Sequence, residues 1–269
     1  MSHRRVNGVQ WIKARLRYPS IVNDEEILLR EICWCPNIAK AQQNSNHPCY
    51  EIVNLQDPDS DEFQIPEPWS GDLTNARLLC IASNPSINPE EYYPSRHWSD
   101  TEKVDFFRNR FSPSSRWTDR RKVLLSDGES YTKRPVSYWS KVHAQARRAY
   151  GRTVSMGSDY AITEVVHCKS KKELNVETCR ETCWNLWMPS ILRVSKADVL
   201  MLLGKHATDW FESSYCSFNG SRVIEDIHVC GKIRTIVTLP HPTSWEPLKK
   251  MDELLTTEEM EIIRKRLTS

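Results

Sequence analysis

The sequence predicts an α/β fold with three layers, in which helices cover both faces of a central, mostly parallel sheet of four strands. Four short apolar or β-rich runs, at residues 76–83, 160–166, 198–204 and 232–239, alternate with stretches of helical pattern. Such alternation favours a parallel sheet that is covered on both sides. In parallel sheets, ligands bind beyond the carboxyl ends of the strands, and the polar motifs of this chain lie at those ends.

The elements follow in order along the chain of 269 residues. Residues 1–60 are predicted to form a helical and irregular N-terminal extension that packs on the domain, with one helix beginning at Asp24. A turn-rich link at 57–61 leads into a single α/β/α domain over residues 61–269. Helices are predicted at 102–111, 140–150 and 176–194, and a capping box from Thr256 to Glu259 opens a final helix.

Composition places further bounds on the protein. Hydrophobic residues make up 39% of the chain and charged residues 27%, as in ordinary globular proteins. No apolar stretch approaches the ~20 residues of a membrane span, and the first residues lack the apolar core of a signal peptide. We therefore expect a cytoplasmic monomer with no membrane partner. Nine cysteines without a small-scaffold spacing are expected to be mostly reduced thiols, and on that basis no cofactor is predicted.

The net charge of +2 is unevenly distributed. Residues 102–152 contain thirteen Lys and Arg against five Asp and Glu, with aromatic residues between them. Basic groups neutralise phosphates and aromatic rings can stack on bases, so this segment indicates contact with nucleic acid. A solvated helical face is the alternative explanation. The predicted DNA-binding residues of the segment are Arg116, Arg120, Arg121, Lys122, Arg147 and Arg148.

Two strand ends carry the most specific motifs. The first predicted strand ends in ASNPSI at residues 82–87, and the last ends in PHPTSW at 240–245. This pair resembles motifs 1 and 2 of the uracil-DNA glycosylase superfamily, and the resemblance covers roughly residues 76–245. It implies an enzyme that flips a base out of DNA and hydrolyses its N-glycosidic bond without a covalent intermediate.

The resemblance also implies roles for individual residues. Asn84 matches the position that orients the hydrolytic water, as in the thymine/mismatch-type and single-strand-selective glycosylases, although it can also be a turn former. His241 matches the residue that donates a hydrogen bond to O2 of the departing pyrimidine. Ser244 and Trp245 lie in the loop that presses into the minor groove, with Trp245 either the wedge or a packing residue.

The second predicted strand reads ITEVVHC at 162–168 and resembles ITNVVKC of the iron–sulfur uracil glycosylases. Their Asn reads the uracil edge, and Glu164 replaces it here. A carboxylate accepts from N4–H₂ of cytosine but repels O4 of uracil, and a protonated Glu could also donate to cytosine N3. Glu164 can alternatively be a buried or salt-bridged acid near Lys169, Lys171 or Lys172. Ser86 replaces a bulky Tyr of the uracil-strict family and leaves room beside C5, while Tyr92 or Tyr93 is expected to stack on the base or to anchor the loop.

These features predict excision of a C5-substituted cytosine, such as the hydroxymethylated or glucosylated cytosine of phage DNA, in defence against phages. Uracil excision in base-excision repair is the alternative, and a non-catalytic nucleic-acid-binding module on the same fold is the second. The iron–sulfur relatives also imply a cluster. Its possible ligands here are Cys35, with Cys33 as an alternative, Cys49, Cys168 and Cys183, although the first pair lacks the family's spacing.

Overall fold

The computed structural model describes residues 24–244 and 250–269. Its strands are β1 (Leu78–Ala82), β2 (Thr118–Asp119), β3 (Lys122–Val123), β4 (Tyr160–Glu164), β5 (Val199–Leu203), β6 (Val223–Val229) and β7 (Lys232–Leu239). Five of them form one sheet in the order β4-β1-β5-β7-β6. The first four of that order are mutually parallel, and β6 is antiparallel to β7. The predicted α/β class with a mostly parallel sheet is confirmed.

The sheet has five strands, whereas the sequence predicts four. The four predicted strands are all present, and β6 is the additional one at an edge of the sheet. Most of its residues are exposed or half-buried, and the pairing shifts register between Ile224 and Ile227. Asp226, inside this bulge, has a φ of 57°. The bulge interrupts the alternation of apolar and polar residues, which is why the pattern does not show a strand there.

Helices cover both faces of the sheet. They are α1 (Asp24–Cys33), α2 (Pro36–Gln43), α3 (Tyr50–Val53), α4 (Asp100–Asn109), α5 (Ser137–Tyr150), α6 (Val176–Val194), α7 (Lys205–Ser214), α8 (Met251–Leu254) and α9 (Thr257–Thr268). Successive strand residues point to opposite faces. Leu79 and Ile81 of β1 accordingly join the apolar cluster with α1, α6 and α7, whereas Leu78 and Cys80 join the cluster with α5 and α9.

The helices before residue 60 belong to the first of these clusters. Leu29 and Ile32 of α1 and Ile52 of α3 are buried in the same apolar cluster as α6. At the other end of the chain, the predicted capping box is confirmed, because Thr256 accepts from the backbone of Glu259 and the Glu259 side chain accepts from the backbone of Thr256.

None of the helices that the structure describes combines the length and the apolar character needed to cross a membrane.

Residues 65–71 run along the outer edge of β4 and so bring further side chains to its carboxyl end. Ser70 and Ile162 exchange two backbone hydrogen bonds of 2.8 and 2.9 Å. Beyond the strand, the Glu67 N–H donates to the His167 carbonyl at 2.9 Å. This segment covers an edge that would otherwise present unpaired backbone groups, and it places the Glu67 side chain beside the end of β4.

Candidate active site

The predicted catalytic residues, Asn84 and His241, lie along one edge of the sheet together with Glu164, the residue predicted to recognise the base. Glu164 ends β4, Asn84 follows β1 by two residues, and His241 follows β7 by two residues. Because β4, β1, β5 and β7 are parallel neighbours in that order, their carboxyl ends share one edge. The loops after β1 and β4 are joined directly, since Val166 N–H donates to the Ser83 carbonyl at 3.0 Å.

Asn84 is held with its carbonyl oxygen available. Its Nδ2 donates to the Pro85 carbonyl at 2.9 Å, to Ser170 Oγ at 2.9 Å and to the Cys168 carbonyl at 3.4 Å. Carbonyl oxygens only accept, so the amide nitrogen must face them and the orientation of the amide is fixed. Oδ1 is left as an acceptor without a partner in the described part of the chain, which is the group needed to orient a water. Ser170, a buried residue that the sequence does not single out, supplies one of these acceptors.

His241 is positioned by a glycine and by its own loop. A Cβ at Gly204 would lie 2.8 Å from His241 Cβ, and Gly204 has a φ of 91°, so only glycine fits there. The Thr243 N–H donates to His241 Nδ1 at 3.4 Å, and the Thr243 hydroxyl lies 3.0 Å from the same nitrogen. An Nδ1 that accepts leaves the proton of the neutral imidazole on Nε2. The ring therefore presents Nε2–H as a donor.

Tyr138 belongs to the site although the sequence indicates it only as one aromatic residue among several. Its ring stacks on His241 with centroids 5.8 Å apart and planes at 18°. Its hydroxyl is buried and has no hydrogen-bond partner among the described residues. Burial raises the pKa of the phenol well above its ordinary value, and the nearby Glu164 carboxylate adds to that effect. Tyr138 thus lies near both His241 and Glu164, and its hydroxyl is not committed to any described residue.

Glu164 is 4% exposed, and its Oε2 has no hydrogen-bond partner among the described residues. Burial, followed by the nearby Glu67 carboxylate, raises the pKa of Glu164 well above its ordinary value, whereas Arg110 and Lys169 act in the opposite direction. The carboxyl group is therefore protonated in the folded protein over a wider pH range than a solvated one. A buried polar atom without a partner costs free energy, and a ligand can remove that cost.

Beside Glu164 lies a buried charge network of two acids and two bases. Arg110 donates to Glu67 at 3.1 Å and also pairs with Glu91. Lys169 Nζ lies 3.9 Å from Glu67 and 4.0 Å from Glu91. Although burial acts to raise it, Arg110 and Lys169 hold the pKa of Glu67 below its usual value. Two cations balance two carboxylates, so no cation is left for Glu164 alone among the described residues. As the alternative explanation expects, Glu164 is buried near Lys169, but no salt bridge joins it to Lys169, Lys171 or Lys172.

The residues predicted to shape the base pocket differ in exposure. Ser86 is exposed in the loop after β1. Tyr93 is buried, donates to Glu67 Oε2 at 3.3 Å, and has the Lys169 ammonium 3.4 Å from its ring centroid. Tyr92 lies at the surface, stacked on Trp117 with centroids 5.9 Å apart. Tyr93 is therefore part of the charge network, whereas Tyr92 is the exposed member of an aromatic cluster that includes the buried Trp117.

The predicted DNA-binding residues differ in their positions and in their exposure. Arg120 and Arg121 form the turn of the β2–β3 hairpin, with φ values of 47° and 67°. Such turns normally carry Asn or Gly, and each non-glycine residue in this conformation costs about 1–2 kcal/mol. Arg116 and Arg147 are exposed, and Lys122 is half-buried. Arg148 already pairs with Asp252 at 2.8 Å and donates to the Ala144 carbonyl at 3.1 Å.

The loop after His241 is described only in part. The Ser244 N–H donates to the His241 carbonyl at 2.9 Å, which folds the loop back on the histidine. Trp245, the predicted wedge, lies outside the described residues.

Five cysteines surround one narrow cavity behind the loop that follows β4. They are Cys35, Cys49, Cys168, Cys179 and Cys183, and they make up half of the ten residues that line it. Cys33 is buried elsewhere in the core. Burial raises the pKa of all five thiols, that of Cys49 to about 12. In the described part of the chain, no three acidic, His or Cys side chains converge on a single metal ion.

The hydrogen bonds of the sulfurs distinguish the two cysteines of α6. Cys183 Sγ accepts from the His167 N–H at 3.4 Å, which favours a thiolate. Cys179 Sγ instead donates to the carbonyls of Asn175 and Val176 at 3.4 and 3.6 Å, which requires a thiol. Cys35 accepts from the backbone N–H groups that open α2. Cys35 and Cys183 therefore accept backbone hydrogen bonds at their sulfurs, whereas the Cys179 thiol donates.

In comparisons with known proteins, no family model matches this sequence, and no curated protein matches it significantly.

Proposed function

We propose that this chain is a monofunctional DNA glycosylase that removes a modified pyrimidine, with a C5-substituted cytosine as the substrate base. The observation that carries the proposal is the orientation of Asn84. Its nitrogen is held by three acceptors, and its oxygen is left uncommitted at the sheet edge that also bears Glu164 and His241. A turn-forming Asn needs no such constraint, whereas a residue that positions water does.

In the proposed mechanism, the flipped nucleotide enters the edge between these residues. Asn84 Oδ1 accepts a hydrogen bond from a water on the side of the sugar opposite the base. The bond between C1′ and the base breaks as the sugar develops positive charge, and Nε2–H of His241 stabilises the negative charge that collects on O2 of the base. The water then attacks C1′ and leaves an abasic site. Tyr138 holds the His241 ring by stacking.

Base selection is assigned to Glu164. Its oxygen accepts from an exocyclic N4–H₂, which cytosine has and uracil lacks. Ser86, exposed and small, leaves space for a substituent at C5. Of the two candidate tyrosines, Tyr92 is the one whose ring reaches the surface, so it is the candidate for contact with the flipped base. A requirement for the C5 substituent would spare ordinary cytosines, which fits defence in the cytoplasm against phages with modified DNA.

The decisive experiment measures abasic sites. Oligonucleotides that carry 5-hydroxymethylcytosine, its glucosylated form, cytosine or uracil are incubated with the protein and then cleaved with alkali. We expect strand cleavage with a modified cytosine and none with plain cytosine. Cleavage with uracil alone would establish the base-excision repair alternative, and DNA binding without cleavage of any substrate would indicate a non-catalytic module.

The Asn84→Ala variant tests the site itself. The alanine cannot orient water, which matters mainly in the transition state, so base release should be abolished or greatly slowed while DNA binding changes little. Asn46→Ala is the matched control, because Asn46 is an exposed asparagine outside the predicted site, and this variant should behave as the unmodified protein. Undiminished single-turnover release by Asn84→Ala would remove Asn84 from the mechanism.

We also propose that Cys35, Cys49, Cys168 and Cys183 hold a four-iron cluster of the kind found in the iron–sulfur relatives. The prediction from cysteine spacing alone is no cofactor, and the five-cysteine cavity is what supports the alternative. A bound cluster supplies structural cross-linking, because it joins α2 and α3 to the loop after β4 and to α6. No step of base release depends on it.

A further inference from the structure

We propose that Glu164 is a catalytic acid that transfers its proton to N3 of the departing cytosine. The inference rests on the proposed function, since it concerns the same site, and it assigns a chemical step to a residue that base recognition alone leaves passive. Three observations carry it: the unpartnered buried carboxyl oxygen, the charge balance of its surroundings, and the position of Glu164 opposite the water-orienting residue.

The first observation is the unpartnered atom. Oε2 of Glu164 is fully buried without a hydrogen bond in the described part of the chain, and the hydroxyl of Tyr138 nearby is in the same state. Other buried side-chain atoms also lack a partner in the described part of the chain, but these two lie at one site beyond the strand ends, where a ligand can complete them. A carboxylic acid offers one donor and one acceptor, which is the complement of N3 and N4–H₂ on the cytosine edge.

The second observation is the charge balance. The titratable and charged groups that face Glu164 are Glu67 from the edge segment, Arg110 after α4, Lys169 after β4 and Tyr138 from α5. Arg110 and Lys169 are matched by Glu67 and Glu91. A fifth charge, on Glu164, would be buried without a counter-ion in the part of the chain that the structure describes, so the network favours the acid form of this carboxyl.

The third observation is position. Ala82 of β1 is paired with Glu164 of β4, and Asn84 follows Ala82 by two residues. The acid and the water-orienting amide therefore stand at adjacent strand ends, so a nucleotide bound between them has its base toward one and its sugar toward the other.

The O–H proton of Glu164 moves to N3 while the C1′–N1 bond breaks and its electron pair goes to the base, so the base leaves as a neutral molecule and the sugar becomes an oxocarbenium ion. Water forms the new bond to C1′ and loses its proton to solvent. The Glu164 carboxylate recovers a proton from solvent after the base departs. Uracil, whose N3 carries a hydrogen, cannot accept this proton.

The test compares Glu164→Gln with the unmodified protein on a 5-hydroxymethylcytosine oligonucleotide in single-turnover conditions. The glutamine amide still accepts from N4–H₂ and donates to N3, but it has no transferable proton. We expect an unchanged Kd for DNA and a base-release rate lower by about 10²–10⁴-fold, the usual range for acid catalysis. Glu90→Gln, at an exposed carboxylate, is the matched control and should keep the full rate.

The pH profile supplies a second readout. The rate of the unmodified protein should fall as rising pH removes the Glu164 proton, and the residual rate of Glu164→Gln should lack that fall. An infrared band of a protonated carboxyl group that is present in the unmodified protein and missing in Glu164→Gln would support the acid form without any assay of activity. Glutamine mimics the neutral acid, so the variant should fold.

The outcomes separate this inference from the proposed function. If the unmodified protein releases a modified cytosine and Glu164→Gln does so equally fast, the acid role is wrong and the glycosylase function stands. If the unmodified protein releases only uracil or no base, both are overturned. A rate that is independent of pH, together with the absence of the carboxyl band, also overturns the acid role.

Discussion

Two buried clusters of ionisable side chains meet at consecutive residues, Cys168 and Lys169, and they differ in how their charge is balanced. The charge network around Lys169 contains equal numbers of acids and bases within salt-bridge distance. The cysteine cluster around Cys168 has only thiols, whose pKa burial and mutual proximity raise. The first cluster is electrically complete, whereas the second is neutral only while its thiols keep their protons.

The difference indicates what each cluster can bind. A complete network gains nothing from an added ion, and its function is to set the electrostatic environment of Glu164. A group of thiols gains from any cation that replaces their protons, because a bound metal reverses the effect of burial on a thiol's pKa. Variants that change one cluster at a time test this difference.

The largest expected effect follows from removing a cation of the charge network. Arg110→Met leaves two buried carboxylates, Glu67 and Glu91, with only Lys169 near them. Removing one partner of a buried ion pair costs roughly 3–5 kcal/mol of the free energy of unfolding, measured by urea denaturation. Lys205→Met is the control, because Lys205 pairs with Asp209 at the surface and should contribute at most about 1 kcal/mol. Equal losses in the two variants would contradict the description of the network as a closed unit.

The next prediction concerns the cysteine cluster. Cys183→Ser should lose most of the bound iron and the visible absorbance of protein purified without oxygen, because it removes a ligand. Cys179→Ser, one turn away on the same face of α6, should keep both, since Cys179 donates to helix carbonyls. Iron analysis of the two variants decides the matter. Iron lost equally from both, or missing from the unmodified protein, would count against the assignment of ligands.

Features formed by neighbouring residues could be predicted from the sequence, whereas features formed by residues far apart in the chain could not. The strand ends that bear Asn84 and His241 are local patterns, so the sheet edge could be predicted from short apolar runs and the turns that follow. The charge network could not, because Glu67, Glu91, Arg110 and Lys169 are separated in sequence and none has a distinctive neighbour pattern. The same holds for Tyr138, whose place beside His241 depends on how α5 packs on one face of the sheet. Cys35 and Cys49 lack a metal-site spacing, and only the fold brings them to Cys168.

A smaller effect is expected from Glu164, whose protonation should make the stability of the folded protein depend on pH. Its pKa is raised in the folded protein by burial and by Glu67, so the folded state binds the proton more tightly than the unfolded chain does. The resulting stabilisation is complete below the unfolded pKa, which for a glutamate is about 4.3, and is lost as pH rises through the folded value. Thermal unfolding as a function of pH should show this loss in the unmodified protein, and Glu164→Gln should not show it. Parallel pH profiles of the two proteins would mean that folding leaves the pKa of Glu164 unchanged.

The smallest expected effect concerns two arginines at the surface, one whose charge is compensated by an acid and one whose charge is not. Arg147 and Arg148 are consecutive residues of α5. Arg148 is paired with Asp252, whereas Arg147 is exposed and has no ion-pair partner in the described part of the chain. A cation that neutralises a phosphate releases a counter-ion, so Arg147→Ala should lower the slope of log affinity for DNA against log salt by about 1. Arg148→Ala should change the slope less and instead lower the free energy of unfolding by at most about 1 kcal/mol, because its charge is already used inside the protein.

Fluorescence anisotropy of a labelled duplex over a salt series measures both slopes. If Arg148→Ala lowers the slope as much as Arg147→Ala, then Arg148 leaves Asp252 when DNA binds. If neither changes it, this end of α5 does not face DNA.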